Sequence, residues 1–326
     1  MRRQQGVALI TVLLVVAIVT VVTAGIIARQ QLSIRSSANQ LTARQAWHYA
    51  LGGEALAQAM LQRDMQQTGG NQGQAVDHLR EPWARKIAPF TLEQGRISLS
   101  IEDLAGRFNL NSVVVNQQVN QSAVQRFRRL LVSLDIEPLL AERLIDWIDE
   151  NQDVSGANGA EDNQYLLLEP PYRAANRPLQ DVSELRLLLD LSERDYQRLL
   201  PYVSALPAQT PLNINTASAL VLATLADNLS PQAAQQLVLA RGAEGYRQLA
   251  DFTRQPALAG LGVQATGLAL NSQYFAARSE VQLGERRRVL ISLLQRGADG
   301  RVYVLQRDLA QPARVLATVK PLEEQP

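Results

Sequence analysis

The sequence predicts an α+β fold: one long N-terminal helix packed on an antiparallel sheet, with a large all-α domain inserted into that sheet. Three observations predict it. Residues 7–28 are apolar and free of charge, and helical spacing of apolar side chains continues beyond them to about residue 66. Strand-like runs lie on either side of the middle of the chain, in 67–108 and in 268–326. Between them, 109–267 carries helical patterning, which is most economically an insertion into a single sheet.

The apolar segment "GVALITVLLVVAIVTVVTAGIIARQ" follows a short basic head, Met1-Arg2-Arg3-Gln4-Gln5. At about 1.5 Å per residue, 7–28 is long enough to cross the roughly 30 Å hydrocarbon core of a bilayer. A removable secretory signal has a shorter apolar region with a small-residue cleavage site behind it, whereas here Gly6 stands in front of a full-length run. Arg2 and Arg3 favour a cytoplasmic N-terminus, which sends everything after Ala28 to the far side of the membrane. The continuation, 29–66, has no proline and sets Leu32, Leu41, Ala46, Ala50 and Leu56 near helical spacing. Next, "QQTGGNQGQAVD" (66–77) reads as a flexible connection.

Strands are expected in "KIAPFTLE" (86–93) and in "GRISLSIEDLAG" (95–106), where Ile97, Leu99 and Ile101 alternate with polar residues. Three more runs follow in 272–309, separated by turn signals at Gly284-Glu285 and Asp299-Gly300.

Composition narrows the chemistry. A formal net charge of +1 gives no electrostatic reason to expect nucleic acid, and the absence of cysteine excludes disulfides, zinc-thiolate sites and thiol catalysis. The two histidines, His48 and His78, have no second histidine at ligand spacing. No G-x-S-x-G, H-E-x-x-H or P-loop pattern occurs, and Gly260-Leu261-Gly262 with Ala265 follows a Pro/Ala loop rather than a strand, so a dinucleotide site is not expected. Function lies in assembly.

Two stretches of the insert carry sharper signals. "LNINTASALVLATLADNLSPQAAQQLVLAR" (212–241) looks like a helix-hairpin-helix unit, a fold that often grips the DNA backbone through a Gly-rich turn. Its turn, Ala226-Asp227-Asn228-Leu229-Ser230, has no glycine, and Asp227 has the wrong sign for phosphate. A structural or partner-facing hairpin is therefore expected, with a membrane-anchored DNA-uptake protein as the rival reading. "DIEPLLAERLIDWI" (135–148) and "DLSERDYQRLLPYV" (190–203) suggest a second unit of similar kind. Between those two, Asp149, Asn151, Asp153 and Ser155 put an oxygen at every second position, as an EF-hand loop begins. Val154 then stands where that loop needs glycine, and Glu161 falls one residue past the bidentate position. Asp149, Asp153, Glu161 and Asp162 nevertheless form a carboxylate cluster with no cation before Arg173. By itself the pattern reads as a solvated acidic loop, whose self-repulsion calls for screening by water or a hard cation.

A basic head, a glycine and an apolar helix that runs on into the outer domain resemble the type IV prepilins and pseudopilins. The resemblance implies a leader at 1–6 and cleavage between Gly6 and Val7 by a prepilin peptidase, the helix being kept as anchor and then as filament core. Most members carry a glutamate at the fifth mature position, which here is Thr11. A carboxylate buried among apolar helices is costly unless paired, and the family's glutamate pairs with a neighbouring subunit's first amine. A subunit with threonine fits best where no neighbour needs that group. Together, "DLAGRFNLNS" (103–112), "LIDWIDENQDVSGANGAEDNQYLLLEPPYRAANRPLQDVSELRLL" (144–188) and "PLNINTASALVLATL" (211–225) resemble the K-type minor pseudopilin of type II secretion systems. This implies the pseudopilin fold with an inserted all-α domain, SAM-like or helix-hairpin-helix-like. It implies a single-pass protein of the bacterial inner membrane with its globular domain in the periplasm. It further implies a place at the pseudopilus tip with the I- and J-type minor pseudopilins, on top of the major pseudopilin and in contact with other type II secretion components, priming export of folded proteins. Calcium held in the region of Asp149, Asp153, Glu161 and Asp162 is implied in the same way.

Overall fold

The computed structural model describes residues 5–69, 75–297 and 299–309; the first four residues of the basic head, 70–74 of the expected connection and the tail after 309 lie outside these. Helix α1 runs unbroken over Gln5–Gly69, so Gly6 and Val7 both fall in its first turn. It is long and apolar enough to cross a membrane, and none of its most apolar window is buried within the protein. Thr11 lies in this bare half, where its hydroxyl donates to the Ala8 carbonyl at 2.9 Å and is satisfied within its own helix.

Farther along, α1 turns one face to a sheet. Ala46, Ala50, Ala57 and Leu61 recur at helical spacing and are buried against Leu99, Ile101, Phe275, Val281, Leu290 and Leu294. Full burial of side chains the size of Leu61 or Phe275 contributes about 1.5–3 kcal/mol each. Gly53 permits the close approach, since a Cβ there would collide with the Ser279 hydroxyl on the sheet.

The sheet begins with β1 (Phe90–Leu92) and β2 (Gly95–Asp103). Pro89 has no N–H for a ladder, so "KIAPFTLE" yields only the three residues of β1 rather than a full strand. The chain then leaves the sheet and builds two modules, each with its own core. The first contains β3 (Phe108–Asn109), β4 (Val114–Val115), β5 (Gln118–Val119), α2 (Gln121–Ser133), α3 (Leu140–Ile148), α4 (Asp162–Tyr165), α5 (Glu193–Leu199) and β6 (Val203–Ser204). The second contains β7 (Leu212–Asn213), α6 (Ala219–Ala223), α7 (Pro231–Ala240), α8 (Leu249–Thr253) and β8 (Leu268–Ala269). The chain rejoins the sheet as β9 (Tyr274–Leu283), β10 (Arg286–Arg296) and β11 (Val302–Asp308), giving an antiparallel order β1-β2-β9-β10-β11. Strands β2 and β9 are direct neighbours, with Asp103 opposite Phe275, so the insert spans 104–273 and hangs from the end of one strand pair.

The insert is not the all-α domain the sequence predicts: short helices make up most of its regular structure, but β3 to β8 lie in it too, and its strand pairs have a structural reason. Each module opens on an Asn-x-Asn device and closes on a two-residue parallel pair, β3 with β6 and β7 with β8. Asn109 accepts from the N–H groups of Asn111 and Leu206 and donates to the Pro207 carbonyl. Asn213 likewise accepts from Asn215 N–H. The second asparagine of each pair then clamps a distant backbone: Asn111 holds Leu179 through both its N–H and its carbonyl, and Asn215 holds Tyr246 in the same two-ended way. All four side chains are buried, so a loop amide would otherwise be left without a partner.

A buried polar knot fixes where the insert meets the sheet. Asp103, the last residue of β2, accepts from Ser272 Oγ and Thr216 Oγ1, both at 2.5 Å, from Asn213 Nδ2 at 3.1 Å and from Ala105 N–H at 2.8 Å.

Candidate metal centre

The acidic loop is positioned by α3, whose Leu140, Ala141, Leu144, Ile145 and Ile148 enter the core of the first module. On the inner side of its last turn sits Asp146, completely buried, and its C-cap is Asp149, also buried. The chain then loops back, with the Asn151 side chain accepting from Asp153 N–H at 2.6 Å, until Ser155 N–H donates to Asp146 Oδ1 at 2.9 Å. Gly159 lies directly over the same carboxylate, and a Cβ there would overlap Asp146 Oδ2. Glu161, buried at the N-cap of α4, completes the group.

Four buried carboxylate oxygens here have no hydrogen-bond partner: Asp146 Oδ2, Asp149 Oδ1 and both oxygens of Glu161. Burial, then repulsion from Asp146, Asp149, Asp162 and Asp153, pushes the Glu161 carboxyl up to about 8. Burial and then Asp146 push Asp149 up to about 6, and burial raises Asp146 as well. Unpaired buried carboxylates are expensive. An all-oxygen set of this kind fits a hard cation such as calcium, and with neither sulfur nor imidazole it does not suit zinc.

Of the four sequence-predicted ligands, the structure buries Asp149 and Glu161 near enough for their charges to repel and leaves Asp153 exposed at the rim. It turns Asp162 away: Asp162 Oδ2 lies 2.9 Å from Arg173 Nη1, and Oδ1 accepts from Ala174 N–H at 3.0 Å. Asp146 is the residue the pattern reading missed. Its signal was the spacing in "DWID", which sets Asp146 and Asp149 on one helical face. Among the described residues, the one acidic trio whose ligand atoms all lie within 4.8 Å of one another is elsewhere, at Asp64, Asp77 and Glu81. That trio already holds the Arg296 guanidinium, which bridges Asp64 and Asp77 and ties α1 to the end of β10.

The helical hairpin is occupied by its own protein. Ala226 and Leu229 of the turn between α6 and α7 are buried, and Arg129 from α2 reaches Asp227 Oδ1 at 2.5 Å and the Thr224 carbonyl at 2.6 Å. The turn that would face phosphate in a DNA-gripping hairpin thus faces the first module.

The family model described as "Type II secretion system (T2SS), protein K" matches residues 106–208, and a second model with the same description matches 212–271; the two matches coincide with the two modules. The type II secretion system protein K of Pseudomonas aeruginosa is 56% identical over 315 residues, covering 95% of this chain and 94% of that one. The protein of the same name from Klebsiella pneumoniae is 39% identical over 321 residues, covering 94% and 96%. Among solved structures, a chain of the GspK-GspI-GspJ complex from the enterotoxigenic Escherichia coli type 2 secretion system superimposes with a TM-score of 0.75 at 32% identity, covering 84% of this chain and 99% of that one. With identity of this level extending over nearly the whole of both chains and the same fold in the solved relative, the chain belongs to the protein K family of minor pseudopilins of type II secretion.

Proposed function

We propose that the protein caps the pseudopilus and primes its assembly, working at the tip with the I- and J-type minor pseudopilins. The observation that carries this is the position of the insert, which hangs from the ends of two adjacent central strands on a subunit whose stem helix is bare along its outer half. In a helical filament every subunit makes the same head-to-tail contact, so growth continues only where both ends of the contact are usable. A subunit carrying the bulk of 104–273 on its sheet can accept neighbours beneath it and obstructs any above. Thr11 supports the same reading, since its hydroxyl is satisfied in its own helix and it offers no carboxylate to a neighbouring amine. The solved relative is a complex of K, I and J proteins, which supports that choice of partners.

In this reading the protein is an assembly component and not an enzyme. The apolar half of α1 sits in the inner membrane after cleavage between Gly6 and Val7, and the sheet and insert lie in the periplasm. Calcium is held by Asp146, Asp149 and Glu161, with Asp153 at the rim and Asp162 committed to Arg173. When bound, the ion neutralises the buried carboxylates and pins the loop that follows α3.

Co-expression of the full chain with its I- and J-type minor pseudopilins, followed by purification from detergent through a tag on this chain, tests the proposal. A ternary complex is expected. Recovery of this chain with neither partner would overturn the tip reading.

A further inference from the structure

Where the two modules meet, the structure encloses a cleft of about 420 Å³, in the size range of small-ligand sites. Its floor is formed by buried Phe108, Asn109, Ala123 and Leu212, and its mouth by exposed Gln209, Gln264 and Thr266. Into it projects Arg126 of α2. The Arg126 guanidinium lies over the Phe108 ring, 5.7 Å from the centroid. Its Nε is sealed from solvent without a partner, and no carboxylate among the described residues pairs with it. None of the residues lining the cleft is acidic. The second arginine in the lining, Arg107, is already spent on Glu102 at 2.5 Å.

The helix end at the cleft has the same sign as Arg126. Helix α2, capped by Asn120, opens its positive end on this space, with Asn120, Ser122 and Ala123 in the lining. Burial, and then repulsion from Arg129 one turn away, lowers the Arg126 pKa to about 10. A guanidinium held this way, over an aromatic ring and without an acid, is ready to receive an anion.

We propose that the cleft between the two modules is an anion-binding site in which Arg126 receives a single carboxylate. One free guanidinium balances one negative charge, and its planar fork matches a carboxylate through two parallel hydrogen bonds. Hydroxyl and amide groups at Ser122, Gln209 and Gln264 can meet the polar remainder of the ligand, and the Phe108 side of the cleft can take an aliphatic stem. The carboxylate is that of a glutamate or aspartate side chain on a protein segment, or of a free short-chain acid.

The test uses the full chain in detergent, with N-acetylglutamate α-methylamide, its glutamine counterpart and propionate as probes, and binding followed by calorimetry or saturation-transfer NMR. The blocked glutamate is expected to bind at least about tenfold more tightly than the blocked glutamine, because only the former makes the charge-assisted pair. Arg126→Met should remove that preference. Thr266→Glu should do so as well, by setting a competing carboxylate at the exposed mouth without touching α2, so that a folding defect in the first variant cannot decide the matter. Binding of the blocked glutamate but not propionate identifies a protein side chain as the source; binding of both identifies the carboxylate alone as sufficient. Equal binding of glutamate and glutamine probes, or a preference that persists in both variants, would overturn the proposal.

Discussion

Arg307, on the edge strand β11, grips Glu54 of the stem helix through two parallel hydrogen bonds, Nε to Oε2 and Nη2 to Oε1, both 2.8 Å long. The same carboxylate accepts from Ser292 Oγ on β10 at 2.5 Å. One buried acid thus joins the long helix to two strands.

This junction predicts an acid-sensitive clamp. Burial alone would push the Glu54 carboxyl up, but Arg307 and Ser292 together hold it below its ordinary value of 4.5. The stabilisation is therefore complete above about pH 4.5 and is lost as pH falls through the depressed folded value. Arg307→Met should cost about 1–3 kcal/mol at neutral pH, tempered by the half exposure of the arginine, and should flatten the acid limb of the stability curve. Denaturant unfolding at neutral pH and at pH 4 checks both.

A second prediction concerns the Asn-x-Asn devices. Asn215→Ala removes both ends of the clamp on Tyr246, leaving a buried N–H and a buried carbonyl without partners, and should destabilise the protein by about 2–4 kcal/mol. Asn228→Ala, in the hairpin turn but exposed, should change stability by less than about 0.5 kcal/mol. Equal effects in urea unfolding would contradict the structural role given to the motif.

The contrast also shows what the sequence carries openly. The stem helix, the β9–β10–β11 meander and its turns were legible, because alternation and Gly-containing turns are local signals; Gly284 indeed takes a positive φ of +55° between β9 and β10. That β2 and β9 are neighbours was not, since nothing local relates Asp103 to Phe275. Two helical units in the insert were expected from their patterning, but the device that closes each was not legible: nothing local in "FNLN" and "LNIN" relates their asparagines to the backbone they clamp 31 to 98 positions away. Asp146 was missed because it looks like the polar position of an amphipathic helix; its spacing from Asp149 was the available signal, and its complete burial gives that spacing its meaning.

Calcium should raise the melting temperature of the full chain, by the equivalent of about 2.7 kcal/mol when present at about 100 times its Kd. Without metal, Glu161 titrates near 8 and Asp149 near 6, above their ordinary values. The folded state then binds protons more tightly than the unfolded one, so metal-free stability falls as pH rises from about 4 to 8. The calcium effect should accordingly be larger at pH 8 than at pH 5. Asp146→Asn, or Asp149→Ala with Glu161→Ala, should abolish it, and Gly159→Ala should weaken it by displacing the loop from Asp146. Identical melting with calcium and with chelator would mean that the loop is merely solvated.

Processing is predicted at the first turn of α1. In cells with an active prepilin peptidase the mature protein should begin at Val7, and Gly6→Val should block cleavage because a branched side chain obstructs the close approach that glycine permits. N-terminal sequencing of the membrane-bound protein decides it, and an intact Met1 would count against the leader assignment.

Position in the filament can be seen by electron microscopy of pseudopili carrying a gold-labelled tag on this chain. Label is expected at one end of each filament, and Thr11→Glu should leave it there. A variant in which a short turn joins Asp103 to Tyr274, deleting the insert between these adjacent strands, should spread along the shaft. Label distributed along the shaft by the unaltered protein would rule out a capping position.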